Sequence, residues 1–129
     1  MTMWTSAMPA EQKTILVVDD DEDILLMART YLEEEGYNVL QASSGAAGLN
    51  ILQSDKPVDL LFTDIVMPGG MDGFELVQRA KEVRPALRVL YTSGFFKEMP
   101  DHPTGMDGDL LPKPWRLSHL QEAVKRAFH

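Results

Sequence analysis

The stretch that decides the fold spans residues 58–73 and reads V-D-L-L-F-T-D-I-V-M-P-G-G-M-D-G. Residues 58–63 are apolar enough on both faces to form a buried central strand of a parallel sheet. That strand ends in an acid, Asp64, and a turn rich in proline and glycine follows. Because open α/β sheets bind ligands in the crevice at the carboxyl ends of their strands, we expect the Asp64 carboxylate to face a ligand site.

Strand and helix patterns alternate along the rest of the chain. Further strands are predicted at residues 14–18, 37–41, 87–91 and 110–111, and the second of these is polar enough to lie at a sheet edge. Helices are predicted before Gly36, after the serines at 43 and 44, over residues 73–83 and from about Leu117. This alternation indicates an α/β fold whose parallel sheet is covered on both faces.

Residues 95–109 break the alternation, because two prolines and two glycines occur within this segment. Proline removes a backbone donor and clashes with the preceding turn, so only a degraded fourth helix is predicted here. The elements together predict a flavodoxin-like, doubly wound sheet of five parallel strands in the order 2-1-3-4-5. We expect one domain over residues 14–129, preceded by a disordered leader at residues 1–13.

Composition limits the possible functions. The 129 residues include 20 acids and 12 bases, for a net charge of −8, so a direct DNA or RNA partner is not expected. The absence of cysteine excludes disulfides, thiol catalysis and zinc-thiolate sites. No apolar run approaches the roughly 18 residues that a membrane span needs, and residues 1–13 do not read as a signal peptide. We therefore expect a cytoplasmic protein without a membrane partner.

Four predicted strand ends carry polar side chains. Acids at positions 19–21 follow the first strand, Asp64 follows the third, Thr92 the fourth and Lys113 the fifth. In the predicted strand order the first and third strands are neighbours, so their acids would share one pocket. A hard divalent ion such as Mg²⁺ would offset the crowded carboxylates, and the hydroxyl and ammonium groups could hold a phosphoryl group. Such a pocket favours phosphoryl transfer with a carboxylate as the nucleophile.

Four runs, in this order and spacing, resemble the receiver domain of two-component response regulators: I-L-V-V-D-D-D-E-D-I, D-I-V-M-P-G-G-M-D-G-F-E-L, L-Y-T-S-G and P-K-P-W. The resemblance covers residues 14–129. It implies that Asp64 is a phosphoacceptor, which takes a phosphoryl group from a histidine kinase or a histidine phosphotransfer protein. It also implies signalling to a downstream protein target through protein–protein contacts, without turnover of an external substrate.

The resemblance implies a magnesium site beside Asp64. Asp20 corresponds to the direct Mg²⁺ ligand of the family, and Asp19 to the acid that binds the ion through water. The backbone carbonyl of Val66 corresponds to a further ligand.

The resemblance also implies roles for two residues on the fourth and fifth strands. Thr92 corresponds to the switch hydroxyl that moves to the phosphoryl group. Lys113 corresponds to the ion-pair lysine, and the bond to the following proline is usually cis in the family. We expect Trp115, two residues after Lys113, to serve packing.

Three departures from common receivers carry further expectations. The turn at Gly69-Gly70 is one residue longer, as in receivers that are attached to, or work with, hybrid sensor kinases. Leu110 stands where many receivers place a Tyr or Phe whose rotation reports phosphorylation, so the usual aromatic switch is not expected. Val66 and Gly94 stand where polar side chains usually orient the water that hydrolyses the acyl phosphate. We therefore expect a phosphorylated state that decays slowly.

Two alternatives involve the same residues. An aspartate-nucleophile phosphatase would also use Mg²⁺, Asp64, Thr92 and Lys113, but such enzymes commonly need a second acid two residues after the nucleophile, and Val66 cannot serve as one. A receiver-like binding module without phosphorylation would not need the complete set of acids, hydroxyl and ammonium. The sequence leaves open whether the domain stands alone or belongs to a hybrid kinase.

Overall fold

Five strands and four helices are present in the computed structural model, which describes residues 12–94 and 108–129. The strands are β1 (Thr14–Val18), β2 (Asn38–Ala42), β3 (Leu60–Asp64), β4 (Arg88–Ser93) and β5 (Asp109–Pro112). The helices are α1 (Glu22–Glu34), α2 (Gly45–Gln53), α3 (Gly73–Val83) and α4 (Leu117–Ala127). None of these helices combines the length and the apolar character that a membrane span requires.

All strand pairs are parallel, and their order is β2-β1-β3-β4-β5. This order confirms the predicted fold class and the edge position of β2. It also makes β1 and β3 neighbours, with Val18 paired to Thr63. The residues that follow these two strands therefore leave the sheet side by side.

Two apolar layers cover the sheet. One layer joins alternate strand residues such as Leu16 and Leu61 to α2 and α3, and the other joins Ile15 and Phe62 to α1 and α4. The central strands β1 and β3 are buried along their whole length, because helices pack on both of their faces. This burial is why both strands read as continuous apolar runs in the sequence.

Each of the first three helices begins at a side-chain cap. Asp21 caps α1, Ser44 caps α2 and Asp72 caps α3, each by accepting a hydrogen bond from a backbone N–H of the first turn. Such caps satisfy N–H groups that have no partner inside the helix. In α1, Glu22 and Asp23 occupy the first turn, where acids interact favourably with the helix dipole.

The start of α3 packs directly on the chain that leaves β3. Gly73 N–H donates to the Ile65 carbonyl oxygen at 2.8 Å, and a Cβ at Gly73 would collide with the backbone of Asp64 and Ile65. Glycine is therefore required at this position. The two glycines of the longer turn, Gly69 and Gly70, have φ angles of 95° and 98°, which other residues rarely adopt.

The boundaries of β1 match the prediction, whereas those of the other four strands differ from the predicted ones by one or two residues. β3 includes Asp64 as its last residue, and β4 extends to Ser93, so that Thr92 lies inside the strand. The predicted degraded helix falls mainly on residues 95–107, which lie outside the described residues, as does most of the predicted leader at residues 1–13.

Candidate functional site

The structure brings the predicted acids together at the carboxyl edge of the sheet. Asp64 ends β3, and Asp19 and Asp20 follow β1, the neighbouring strand. One carboxylate oxygen from each of these three residues lies within 4.8 Å of the other two. Asp19 and Asp64 are buried, with exposures of 1% and 5%, whereas Asp20 is exposed. The cluster is therefore anchored in the fold and open to solvent on one side.

One ammonium group faces two of these acids. Lys113 Nζ lies 2.8 Å from Asp19 Oδ2 and 3.3 Å from Asp64 Oδ2. The lysine follows β5, and its backbone N–H donates to the Ser93 carbonyl oxygen at 3.0 Å, which extends the pairing with β4. The bond between Lys113 and Pro114 is cis.

The charges of the pocket shift the pKa of Lys113 upward. Burial alone lowers this pKa, but the close contact with Asp19 and the charge of Asp64 raise it by more. The side chain therefore remains a cation at neutral pH.

The pKa of Asp64 is raised to about 6, chiefly by burial and then by the negative charge of Asp19. Lys113 acts in the opposite direction but does not cancel these two effects. The cluster contains three carboxylates and one ammonium group. It therefore has an excess of negative charge that a further cation would relieve.

The donor set fits a hard divalent cation. Asp19 Oδ1 accepts a hydrogen bond from Asp21 N–H at 2.9 Å, whereas Asp19 Oδ2 is buried and accepts no aligned hydrogen bond from the residues described, leaving it only the ion pair with Lys113. Carboxylate oxygens are preferred ligands of Mg²⁺. The acidic cluster is thus consistent with the Mg²⁺ site expected from the sequence, while the ligand role of the Val66 carbonyl stays a prediction.

Thr92 lies beside Asp64, because the two residues are register partners in β4 and β3. Its buried hydroxyl donates to the Leu111 carbonyl oxygen at 2.7 Å and accepts the indole N–H of Trp115 at 2.9 Å. Trp115 also packs against Phe62, as the sequence led us to expect. The hydrogen bond to Thr92 was missed, although a buried indole N–H usually finds an acceptor and could have signalled it.

Comparison with known proteins places this arrangement in a family. Residues 15–125 match the family model described as the response regulator receiver domain. The chain belongs to the response regulator receiver family. Receiver domains of response regulators are usually not enzymes.

This receiver resembles both separate and hybrid-kinase receivers. It is 38% identical over 116 residues to the response regulator receiver protein CpdR of Brucella abortus (strain 2308), with 88% of this chain and 95% of CpdR covered. It is 31% identical over 114 residues to the sporulation initiation phosphotransferase F of Bacillus subtilis (strain 168), with coverages of 87% and 90%. The solved receiver domain from the hybrid histidine kinase CckA has a TM-score of 0.77 and 31% identity, with coverages of 90% and 99%. The chain is thus a receiver domain of a two-component phosphorelay.

This receiver has a leucine, Leu110, at the position where many receivers have the aromatic switch residue. Leu110 is partly buried against the layer of α2 and α3, whereas Trp115 belongs to the opposite layer with α1 and α4. Among the described residues, the indole of Trp115, from the segment after β5, contacts the Thr92 hydroxyl.

Proposed function

We propose that this receiver, over residues 14–129, accepts a phosphoryl group on Asp64. The observation that carries the proposal is the position of Lys113 Nζ, 3.3 Å from Asp64 Oδ2 and 2.8 Å from Asp19 Oδ2. An ammonium group already beside the acceptor carboxylate can stabilise negative charge on a phosphoryl group that arrives there. A lysine that only neutralised Asp19 would not need to face Asp64 as well.

The transfer exchanges one bond to phosphorus for another. A carboxylate oxygen of Asp64 forms the new O–P bond while the P–N bond of a donor phosphohistidine breaks, and the electron pair of that bond returns to the imidazole. Lys113 stabilises the charge on the phosphoryl oxygens. Thr92 donates a hydrogen bond to one of these oxygens after its hydroxyl has turned away from Leu111.

Mg²⁺ is the proposed cofactor. Asp20 would hold it directly and Asp19 through water, with Asp64 and the backbone carbonyl of Val66 as further ligands. When bound, the ion supplies positive charge that offsets the carboxylates and the phosphoryl oxygens. The buried Asp19 Oδ2 without an aligned hydrogen bond supports this assignment.

The proposed donor is a histidine kinase or a histidine phosphotransfer protein, and the proposed output is contact with a downstream protein target. The similarity to a sporulation phosphotransferase and to the receiver of a hybrid histidine kinase supports this class of partner. The net charge of −8 disfavours a nucleic-acid partner, and we propose a cytoplasmic location without a membrane partner. Turnover of an external substrate is not proposed, because Val66 offers no acid two residues after the nucleophile.

Acetyl phosphate provides the test. Purified protein is incubated with acetyl phosphate and Mg²⁺, and the adduct is located by mass spectrometry of peptides. We expect a phosphoryl group on the peptide that contains Asp64, and we expect hydroxylamine to remove it, as it removes other acyl phosphates. The adduct should be lost in Asp64→Asn and kept in Asp55→Asn, a matched change at an exposed aspartate between α2 and β3.

Two results would contradict the proposal: no adduct on the unaltered protein, or an adduct that survives Asp64→Asn. Steady hydrolysis of an added phosphomonoester, dependent on Asp64, would instead favour the phosphatase alternative.

A further inference from the structure

The Thr92 hydroxyl makes two hydrogen bonds within the fold. It donates its proton to the Leu111 carbonyl oxygen at 2.7 Å and accepts the indole N–H of Trp115 at 2.9 Å. Thr92 is 2% exposed and Trp115 is 8% exposed, so bulk water does not compete for these bonds. A hydroxyl has one proton to donate. Thr92 therefore cannot donate to a phosphoryl oxygen on Asp64 while it donates to Leu111.

The indole ring is held in place independently of this hydrogen bond. The ring centroids of Trp115 and Phe62 are 5.5 Å apart, with an angle of 44° between the ring planes. The indole belongs to the apolar layer between the sheet and helices α1 and α4. Packing thus directs the indole N–H of Trp115 at Thr92. Trp115 also follows Lys113 by two positions in the chain.

We propose that Trp115 is a positioning residue that holds the Thr92 hydroxyl away from Asp64 in the unphosphorylated receiver. This inference rests on the proposed function, in which Thr92 turns toward the phosphoryl group. Turning breaks both hydrogen bonds and leaves the buried indole N–H and the Leu111 carbonyl without Thr92 as a partner. Buried polar groups that lose their partners cost free energy. The indole therefore stabilises the inactive rotamer of Thr92 and opposes activation.

The positioning role of Trp115 also explains how this receiver can have leucine at position 110, where many receivers have a Tyr or Phe switch residue. Leu110 packs on the layer of α2 and α3, and a leucine side chain offers neither a ring nor a hydroxyl to report the movement of Thr92. Trp115 contacts Thr92 directly and packs on the layer of α1 and α4. The movement of Thr92 is thus transmitted to the core beneath α1 and α4.

The variant Trp115→Phe tests the inference, because phenylalanine keeps an aromatic ring against Phe62 and lacks the N–H donor. The probe is beryllofluoride, an analogue of the phosphoryl group, titrated in saturating Mg²⁺ and followed by amide shifts in NMR spectra. We expect Trp115→Phe to bind beryllofluoride roughly two- to tenfold more tightly, since one neutral hydrogen bond no longer favours the inactive rotamer. Unchanged or weaker binding overturns the inference.

A double-variant comparison separates the hydrogen bond from packing. In the Thr92→Val background the hydroxyl is missing, and Trp115→Phe should then have no further effect on affinity. An undiminished effect of Trp115→Phe in Thr92→Val overturns the inference.

A measurement on the unaltered protein does not depend on the folding of any variant. On addition of beryllofluoride and Mg²⁺, the indole N–H resonance of Trp115 should shift upfield and its exchange with solvent should become faster, as the hydrogen bond to Thr92 is lost. An unchanged resonance, with binding that still depends on Asp64, overturns this inference alone. A complete absence of beryllofluoride binding overturns the proposed function instead.

Discussion

Lys113 Nζ lies 2.8 Å from Asp19 Oδ2, a carboxylate oxygen that accepts no aligned hydrogen bond elsewhere in the described residues. Asp19 is 1% exposed, so its charge has lost almost all contact with water. The ion pair therefore stabilises a charge that the fold has buried. The same ammonium group reaches Asp64, the proposed phosphoacceptor.

Removal of the ammonium group should destabilise the protein strongly. In Lys113→Met the buried Asp19 carboxylate loses its only cation among the described residues, and breaking a buried pair in this way typically costs about 3–5 kcal/mol. We expect a loss of this order in the free energy of unfolding, measured with urea at pH 7 in EDTA. The exposed Lys56→Met provides the control and should change stability by less than about 0.5 kcal/mol. Equal stability of the two variants would refute the pairing.

Divalent metal should stabilise the folded protein, because it binds the acidic cluster of the native state and not the unfolded chain. At a concentration one hundred times the dissociation constant, the gain is about 2.7 kcal/mol. Melting temperatures with and without Mg²⁺ measure it. Asp20→Asn should reduce the gain without lowering the stability of the metal-free protein, while Asp55→Asn should behave like the unaltered chain. A full metal effect in Asp20→Asn would exclude that residue as a ligand.

The raised pKa of Asp64 predicts a pH dependence of stability in the absence of metal. The folded pKa is about 6 and the ordinary value is 3.8, so the folded state binds its proton more tightly than the unfolded state. Stability should therefore fall as pH rises from about 4 to about 6, by at most roughly 3 kcal/mol for a shift of this size.

The difference in unfolding free energy between the unaltered protein and Asp64→Asn, measured in EDTA across this pH range, isolates the effect of Asp64. Asp64→Asn should become the more stable of the two as pH rises, and Mg²⁺ should reduce its advantage. A difference that stays constant from pH 4 to pH 7 would show that the pKa of Asp64 is not raised.

The aspartyl phosphate should decay slowly. Val66 is an apolar side chain with 48% exposure, and Gly94 has no side chain, so neither can orient a water toward the phosphorus. In Val66→Asn an amide could hold that water, and one added hydrogen bond should speed hydrolysis by roughly five- to tenfold. Decay of the adduct after removal of acetyl phosphate measures both rates. A lifetime of a few seconds in the unaltered protein would refute this prediction.

Because α3 packs directly on the chain after β3, we expect Gly73→Ala to lower the stability of the fold severely. The added Cβ collides with the backbone of Asp64 and Ile65, which cannot rotate away as a side chain could. Overpacking of this kind typically costs about 1–3 kcal/mol, measured by urea unfolding. Gly94→Ala is the matched control, because among the described residues its Cβ would meet nothing closer than Lys113 Cβ at 4.0 Å. A tolerated alanine at position 73 would indicate that α3 can shift.

Local sequence patterns carried enough information to predict much of the fold and of the site. The apolar runs before Asp19 and Asp64 predicted buried parallel strands, and the order of those strands placed their acids in one pocket. Boundaries were less accurate because hydrogen-bond pairing between strands, rather than local preference, decides whether a residue such as Thr92 belongs to β4.

The contact between Trp115 and Thr92 could not be predicted in the same way. The two residues are far apart in the sequence, and the direction of the indole N–H depends on how the ring packs against Phe62. A tryptophan in an apolar setting predicts burial, but the identity of its acceptor follows only from the assembled core.

The acids at residues 19–23 contribute both to the pocket and to the start of α1. Asp19 and Asp20 serve the pocket, Asp21 caps α1, and Asp21 N–H is itself held by Asp19 Oδ1 at 2.9 Å. No spacer separates the pocket from the helix, so their relative position is set by the length of this junction. A one-residue insertion here would turn α1 by about 100° or displace an acid from the pocket. Substitutions at Glu22 and Asp23 should therefore be tolerated better than a change in the number of residues between strand and helix.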